Sequence, residues 1–256
     1  MCILFIAVDQ HPDYPLIIAA NRDEFHARLT KPSDFWKNKP HMLAGKDLQA
    51  GGTWLGVAKN GHIAALTNIR APSKERFDAM TRGELVVNAL QYEGSWAVHT
   101  QHLKNTATDY NGFNLVYGDW QNLQVFNSHT QEHHTLTQGV YGLSNAQLNT
   151  PWPKTQQGVN ALNALCQSKQ PLEVEQLFAI LSDPTQASDE TLPDTGIAKS
   201  WEKMLSSIFI KSPDYGTRCS TVITVDHHHS LNWEERSYDP TGQVTQTQAY
   251  SFIINS

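Results

Sequence analysis

Strand-like runs stand at both ends of this chain, and helical patterning is confined to its middle. Apolar runs at 2–8 ("CILFIAV") and 16–21 ("LIIAAN") open it, joined by the turn His11-Pro12-Asp13-Tyr14-Pro15. Strand patterns at 217–225, 231–238 and 245–254 close it. Between them, "TWLGVA" and "HIAALTN" flank Lys59-Asn60-Gly61, and Asn-Gly is the strongest two-residue hairpin signal. Further strands are predicted at 113–117, 123–127, 133–137 and 139–143. Helices are predicted from a capping box, Thr81-Arg82-Gly83-Glu84, through Gln91, and near 95–104, 154–168, 172–182 and 198–208. The polar segment with Pro32 and Pro40 reads as too broken for regular structure, and 183–196 reads as a polar loop. This order is not a strand–helix alternation. It calls for antiparallel sheets covered by helices, an α+β layered fold. With no repeat, no low-complexity segment and no linker, a single domain over 1–256 is expected.

Composition narrows the function classes. The 256 residues carry 19 Lys and Arg against 25 Asp and Glu, a net charge of −6, with no basic run. That argues against a nucleic-acid partner or an anionic-membrane surface. No stretch approaches the roughly 20 apolar residues that cross a bilayer, so no integral membrane association is expected. "CILFIAV" has no basic flank and is followed at once by Asp9, His11 and Asp13, unlike a signal peptide. Cys2, Cys166 and Cys219 are odd in number and widely spaced. They show no metal spacing and suit a reducing, cytoplasmic setting.

Cys2 is the residue with the most specific chemistry. Removal of Met1 would leave it with a free α-amine. An α-amine titrates at about 7.7–8.0 and a thiol at about 8.5, so one residue could act as nucleophile and base together. Arg22, at the end of the neighbouring predicted strand, could lower the thiol pKa. The plain alternative is an ordinary core strand, since cysteine is among the most buried residue types.

The motifs "MC" at the start, "ANRDE" (20–24), "GGTWLG" (51–56), "LTNIR" (66–70), "GLSNA" (142–146), "PWPK" (151–154) and "YGTRCSTV" (215–222) together resemble the NRDE family. In eukaryotes this is called the transport and Golgi organisation family. The resemblance spans nearly the whole chain in the family's motif order. The family is in turn similar to N-terminal-nucleophile hydrolases of the choloylglycine type, which implies a four-layer αββα sandwich. Carried over motif by motif, it implies Cys2 as nucleophile and base, Arg22 polarising the thiolate and Asp23 orienting the amine. Asn68 and Asn145 would donate to an oxyanion, and Arg218 would close the pocket.

Asn21, Glu24, Trp54 and Arg70 are candidate ligand contacts. Asn68 and Asn145 are equally ordinary turn residues. Gly51-Gly52 suits either a tight turn or a close approach of backbone to a ligand. Trp152 and Trp201 read as core. In the choloylglycine pattern the arginine and aspartate are spaced apart, whereas Arg22 and Asp23 are adjacent here. If Arg22 faces Cys2, strand alternation pairs it with Glu24 on that face and sends Asn21 and Asp23 to the other, though a bulge or the strand's end could bring both acids in.

The resemblance also implies a non-catalytic reading, haem handling, with haem as cargo and no cofactor needed for catalysis; at family level it is the leading expectation, with the Cys2 amidohydrolase, which the residues themselves favour, as its alternative. Arg22, Arg70 and Arg218 could meet propionates. No Cys-x-x-Cys-His attachment motif is present, and His227-His228-His229 reads as an edge turn.

Overall fold

A computed structural model describes residues 2–168 and 170–255. Its strands are β1 (Cys2–Val8), β2 (Leu16–Phe25), β3 (Thr30–Trp36), β4 (Lys39–Asp47), β5 (Leu55–Ala58) and β6 (His62–Asn68). After α1 (Gly83–Leu90) and α2 (Trp96–Thr106) come β7 (Phe113–Asp119), β8 (Asn122–Asn127), β9 (His133–Thr135) and β10 (Gly139–Leu143). Helices α3 (Pro153–Cys166), α4 (Val174–Leu181) and α5 (Lys199–Met204) precede β11 (Tyr215–Val225), β12 (Ser230–Tyr238) and β13 (Val244–Ile253).

The strands form two antiparallel sheets. The first is six-stranded, in the order β10-β1-β2-β11-β12-β13, and the second runs β3 to β9 in sequence order. Alternation along β1 and β2 explains why both read as continuous apolar runs. Leu4, Ile6, Leu16, Ile18 and Ala20 pack between the sheets with Leu55, Val57, Ile63 and Val116. Their neighbours Ile3, Phe5, Ala7, Ile17 and Ala19 pack on Leu162 of α3 and Leu177, Phe178 and Leu181 of α4. A strand buried on both faces needs apolar side chains on both. Leu85, Val86 and Leu90 of α1 and Leu103 of α2 cover the outer face of the second sheet over Met42, Ala64, Leu115 and Tyr117. The result is four layers, helix, sheet, sheet, helix, as the resemblance implied. Contact between α3 and the first sheet is close. A Cβ on Gly158 would lie 2.0 Å from Phe5 Cζ.

Two local expectations fail. The Pro32–Pro40 segment is the β3–β4 hairpin. Its prolines are tolerated because β3 is an edge strand with a register shift between Lys31 and Asp34. Pro40 precedes Met42, where pairing with β5 begins, so its missing N–H is not needed by that ladder. The Thr81 capping box does not form either. Arg82 occupies the cap of α1, and no side chain there accepts a helix N–H. Among the described residues no helix is long and apolar enough to cross a membrane.

Candidate functional site

The site begins with strand register. Cys2 pairs with Arg22 across β1 and β2, and Arg22 pairs with Cys219 across β2 and β11. Direct cross-strand partners share a face, so all three lie on the side of the first sheet that faces the second. Between Thr217 and Cys219 the register shifts, leaving Arg218 as an extra residue in β11. Such a bulge re-aims a side chain. Arg218 Nη1 donates to the carbonyls of Phe25 (2.9 Å), His26 (3.2 Å) and Arg28 (3.2 Å), tying down the turn after β2.

Arg22 is 5% exposed. Its guanidinium stacks on Trp54 at 4.4 Å, and Nη2 stands 4.0 Å from both Glu24 Oε2 and Asp47 Oδ2. Nη1 has no hydrogen-bond partner among the described residues. Asp47 is held by Arg28, whose Nε donates to Oδ2 at 2.7 Å. These groups border a cleft of about 620 Å³ lined by Cys2, Arg22, Asp23, Glu24, Trp54 and Asn68. Arg76, Phe77, Met80 and Arg82 line it from the β6–α1 connection. Gly51 and Gly52 have left-handed φ values of 72° and 70°. A Cβ on Gly52 would lie 2.5 Å from the carbonyl carbon of Gly83, so this turn lets the start of α1 close against the cleft wall.

The other face of β2 points at the helices. Asn21 Nδ2 donates to the carbonyls of Leu181 (2.7 Å) and Ile208 (3.0 Å), and its Oδ1 accepts from Ser220 Oγ at 2.6 Å. Asp23 Oδ1 accepts from Thr217 Oγ1 at 2.7 Å. Behind Asp23 lies a buried charged group: Lys154 on α3, Arg70 after β6 and Glu202 on α5. Arg70 donates to Glu202 and stacks on Trp152 at 5.0 Å.

Burial pushes the Cys2 thiol up, and Arg22 pulls it back. Burial also raises the Asp23 carboxyl, with Lys154 the strongest opposing charge. Lys154 itself is lowered to about 8 by burial, and Asp23 opposes that.

Residues 1–240 match the family Transport and Golgi organisation 2. The chain belongs to that family. A human relative, Transport and Golgi organization protein 2 homolog, is 35% identical over 277 residues, spanning 100% of both chains. Transport and Golgi organization protein 2 of Drosophila melanogaster is 29% identical over 279 residues, covering 96% of each. Among solved structures, the C2A mutant of the conjugated bile acid hydrolase from Clostridium perfringens superposes with a TM-score of 0.53 at 9% identity. It covers 98% of this chain and 92% of its own. At that identity the likeness concerns the fold, which is that of the N-terminal-nucleophile hydrolases.

Within this member of the family the motif residues divide between two places. Cys2, Arg22, Asp23, Glu24, Trp54 and Asn68 meet at the cleft. The structure brings Asn21, Arg70, Asn145 and Arg218 elsewhere. Asn21 and Arg70 serve the helical layer, and Arg218 ties the turn after β2. Asn145 Nδ2 donates to the Asn68 carbonyl at 2.9 Å, so it fixes the backbone of the cleft residue from behind. Met1, whose removal the nucleophile reading requires, lies outside the described residues. Among the described residues no histidine lines the cleft, and no group of three or more His, Cys, Asp and Glu could hold a metal ion.

Asp47, Arg82 and Lys154 escape a reading of the sequence. Asp47 ends a strand hidden by Pro40. Lys154 follows "PWP" at a helix start, where a lysine is ordinarily solvated.

Proposed function

We propose that the cleft is an amide-hydrolase site in which Cys2, freed of Met1, is the nucleophile. The observation that carries this reading is the Cys2–Arg22 register pair opening onto a cleft that Asn68 also lines. The α-amine of Cys2 takes the thiol proton, and the thiolate attacks the acyl carbon. Asn68 is the side-chain donor available to the developing oxyanion. Asp23, at the adjoining strand end, would hold the amine. When the C–N bond breaks, the ammonium returns its proton to the leaving amine, leaving a thioester. Water, deprotonated by the same amine, attacks the thioester carbon. The C–S bond breaks and the thiol is restored. A fold shared with a conjugated bile acid hydrolase is consistent with this chemistry.

The test uses untagged protein whose mass reports the loss of Met1, assayed on a panel of N-acyl amides. Wild type should release amine, and Cys2→Ala should release none above background. A retained Met1 in active protein, or full activity in Cys2→Ala, would end the reading.

A second reading, haem handling, is favoured by one observation. The Met80 thioether lines the same cleft as Arg22, Arg28, Arg76 and Arg82. A thioether is a known axial haem ligand, and guanidinium forks match propionates. Haem titrated into the purified protein should give a saturable Soret shift that Met80→Ala weakens. No saturable shift at low micromolar haem would dispose of it.

A further inference from the structure

A sheet edge presents unpaired backbone N–H and C=O groups, and folded proteins blunt their edges against pairing with other chains. The two sheets of this protein end in four edge strands, β10 and β13 in the first and β3 and β9 in the second. Three of them are blunted. β3 carries Pro32 and a register shift between Lys31 and Asp34. β9 is three residues long. β10 is covered by the loop that follows it. The Gly142 N–H donates to Asn149 Oδ1 at 2.9 Å, and the Gly142 carbonyl accepts from the Asn149 N–H at 2.8 Å. β13 is treated differently. It runs for ten residues, Val244–Ile253, with no proline, no glycine and no charged side chain, although the whole chain carries a net charge of −6. Its one irregularity against β12 lies at its start, beside Val244.

We propose that β13 is the interface at which a second copy of this chain adds its own β13, antiparallel, joining two six-stranded sheets about a two-fold axis. Register and side-chain direction decide the fit. Phe252 and Tyr250 pair with Leu231 and Trp233, which lie in the core between the sheets. Alternation then turns Gln246 and Gln248 the same way, and Thr247, Ala249, Ser251 and Ile253 the other way. Gln246 stands opposite Ser237 and Val244 opposite Tyr238, so Thr245 is an extra residue and Val244 returns to the face of Ala249 and Ile253. Direct cross-strand partners share a face. A two-fold antiparallel pairing meets that condition when one residue stands opposite its own copy. With Ala249 at the axis, Thr247 meets the partner's Ser251 and Val244 meets the partner's Ile253, each pair formed twice. Val244 and Ile253 are 52% and 59% exposed. Among the described residues they are the large apolar side chains that β13 leaves in water, and this register covers each with the other. The small Ala249 side chain crowds nothing at the axis. No like charges meet along the joint, which is where repulsion would oppose self-pairing. On the neighbouring strand, Arg236 is already matched by Glu234 and Glu175. The pairing is independent of the chemistry at the cleft.

Sedimentation equilibrium of the full chain, from about 1 μM to about 100 μM, measures the assembly at and above the micromolar end of interface affinities. Wild type should sediment at twice the chain mass. The double variant Thr247→Lys with Ser251→Lys sets like charges opposite each other at both pairs and should halve that mass. Thr247→Lys with Ser251→Glu sets opposite charges at the same two places and should restore the dimer. Both positions are exposed, and four residues along one strand separate them too widely to meet within a chain. Thr247→Lys is common to the two variants, so its effect beside its β12 partner Arg236 cancels in the comparison. Hydrogen exchange supplies a second readout. The β13 amides that point away from β12 should exchange slowly in wild type and in the Lys/Glu variant. A wild type that stays monomeric throughout the range overturns the proposal and leaves the edge to a strand of some other chain. A folded Lys/Lys variant that still dimerises overturns it, because the interface then lies elsewhere. A Lys/Glu variant that stays monomeric overturns the Ala249-centred pairing. Fast exchange of the outward β13 amides in a wild-type dimer overturns it whether or not the variants fold.

Discussion

Replacing Glu202 by alanine should cost about 3–5 kcal/mol of folding stability, the range expected when one partner of a buried ion pair is removed. Glu202 is 3% exposed and is the carboxylate on which the helix-side charges close. Its Oε2 accepts from Arg70 Nη1, and Oε1 accepts from the Thr195 N–H at 2.9 Å and from the Thr195 hydroxyl. Without it, Arg70 remains buried against Trp152, with Nε and Nη2 already lacking acceptors among the described residues. Arg70 and Lys154 then become two neighbouring cations opposed chiefly by Asp23. Urea unfolding at neutral pH measures the loss. The same substitution in a Lys154→Met background should cost less, because Glu202 then has one cation fewer to offset. Residues that share one network depart from additivity in this way. Equal losses in the two backgrounds would mean that Glu202 and Lys154 do not interact energetically. Glu202→Gln should fall between, since an amide oxygen still accepts hydrogen bonds but carries no charge.

The layered fold was legible because its physical cause is local. A strand buried on both faces must be apolar throughout, and the "CILFIAV" and "LIIAA" runs can satisfy no other arrangement at the ends of a chain with central helices. The separation within "NRDE" was legible only in part. Alternation with period 2 puts Asn21 on the helical side, where it donates to Leu181 and Ile208, but Asp23 near the strand end also lines the cleft beside Arg22 and Glu24, which alternation alone does not decide. What lay on that far side was not legible. It depends on where α3, α5 and the chain after β6 come to rest, and no local pattern marks a lysine or arginine as buried. The Arg218 bulge was hidden too. One extra residue in β11 changes what that side chain reaches without changing the strand's sequence character. The hairpin of β3 and β4 was missed because proline excludes only a strand whose N–H groups are needed, and that need is set by neighbours.

On the amide-hydrolase proposal, Arg22→Met should lower kcat/KM for acyl-amide cleavage by about 10²–10³-fold, the scale of losing one charge-stabilising group from an acyl-transfer site. Two effects act together. The Cys2 thiol, already pushed up by burial, loses the cation that pulls it back, so less thiolate is present at neutral pH. The acids then act on the thiol without Arg22 to offset them: Asp23 and Glu24 both raise it, and Asp47 loses its 4.0 Å contact with Nη2. Stability should change far less than reactivity. Asp47 keeps its 2.7 Å bond from Arg28, Glu24 keeps Arg28 at 3.8 Å, and methionine can retain the apolar contact with Trp54. Arg22→Lys should recover only part of the loss. It restores a charge, but not the planar group that lies on the Trp54 ring and addresses two carboxylates at once. The measurement pairs amide turnover with the pH dependence of Cys2 alkylation. A midpoint that rises in Arg22→Met, together with slower turnover, places the effect on the thiolate. Slower turnover with an unmoved midpoint would place it on substrate binding instead, and the guanidinium would then be a ligand for the acyl amide rather than a partner of the nucleophile.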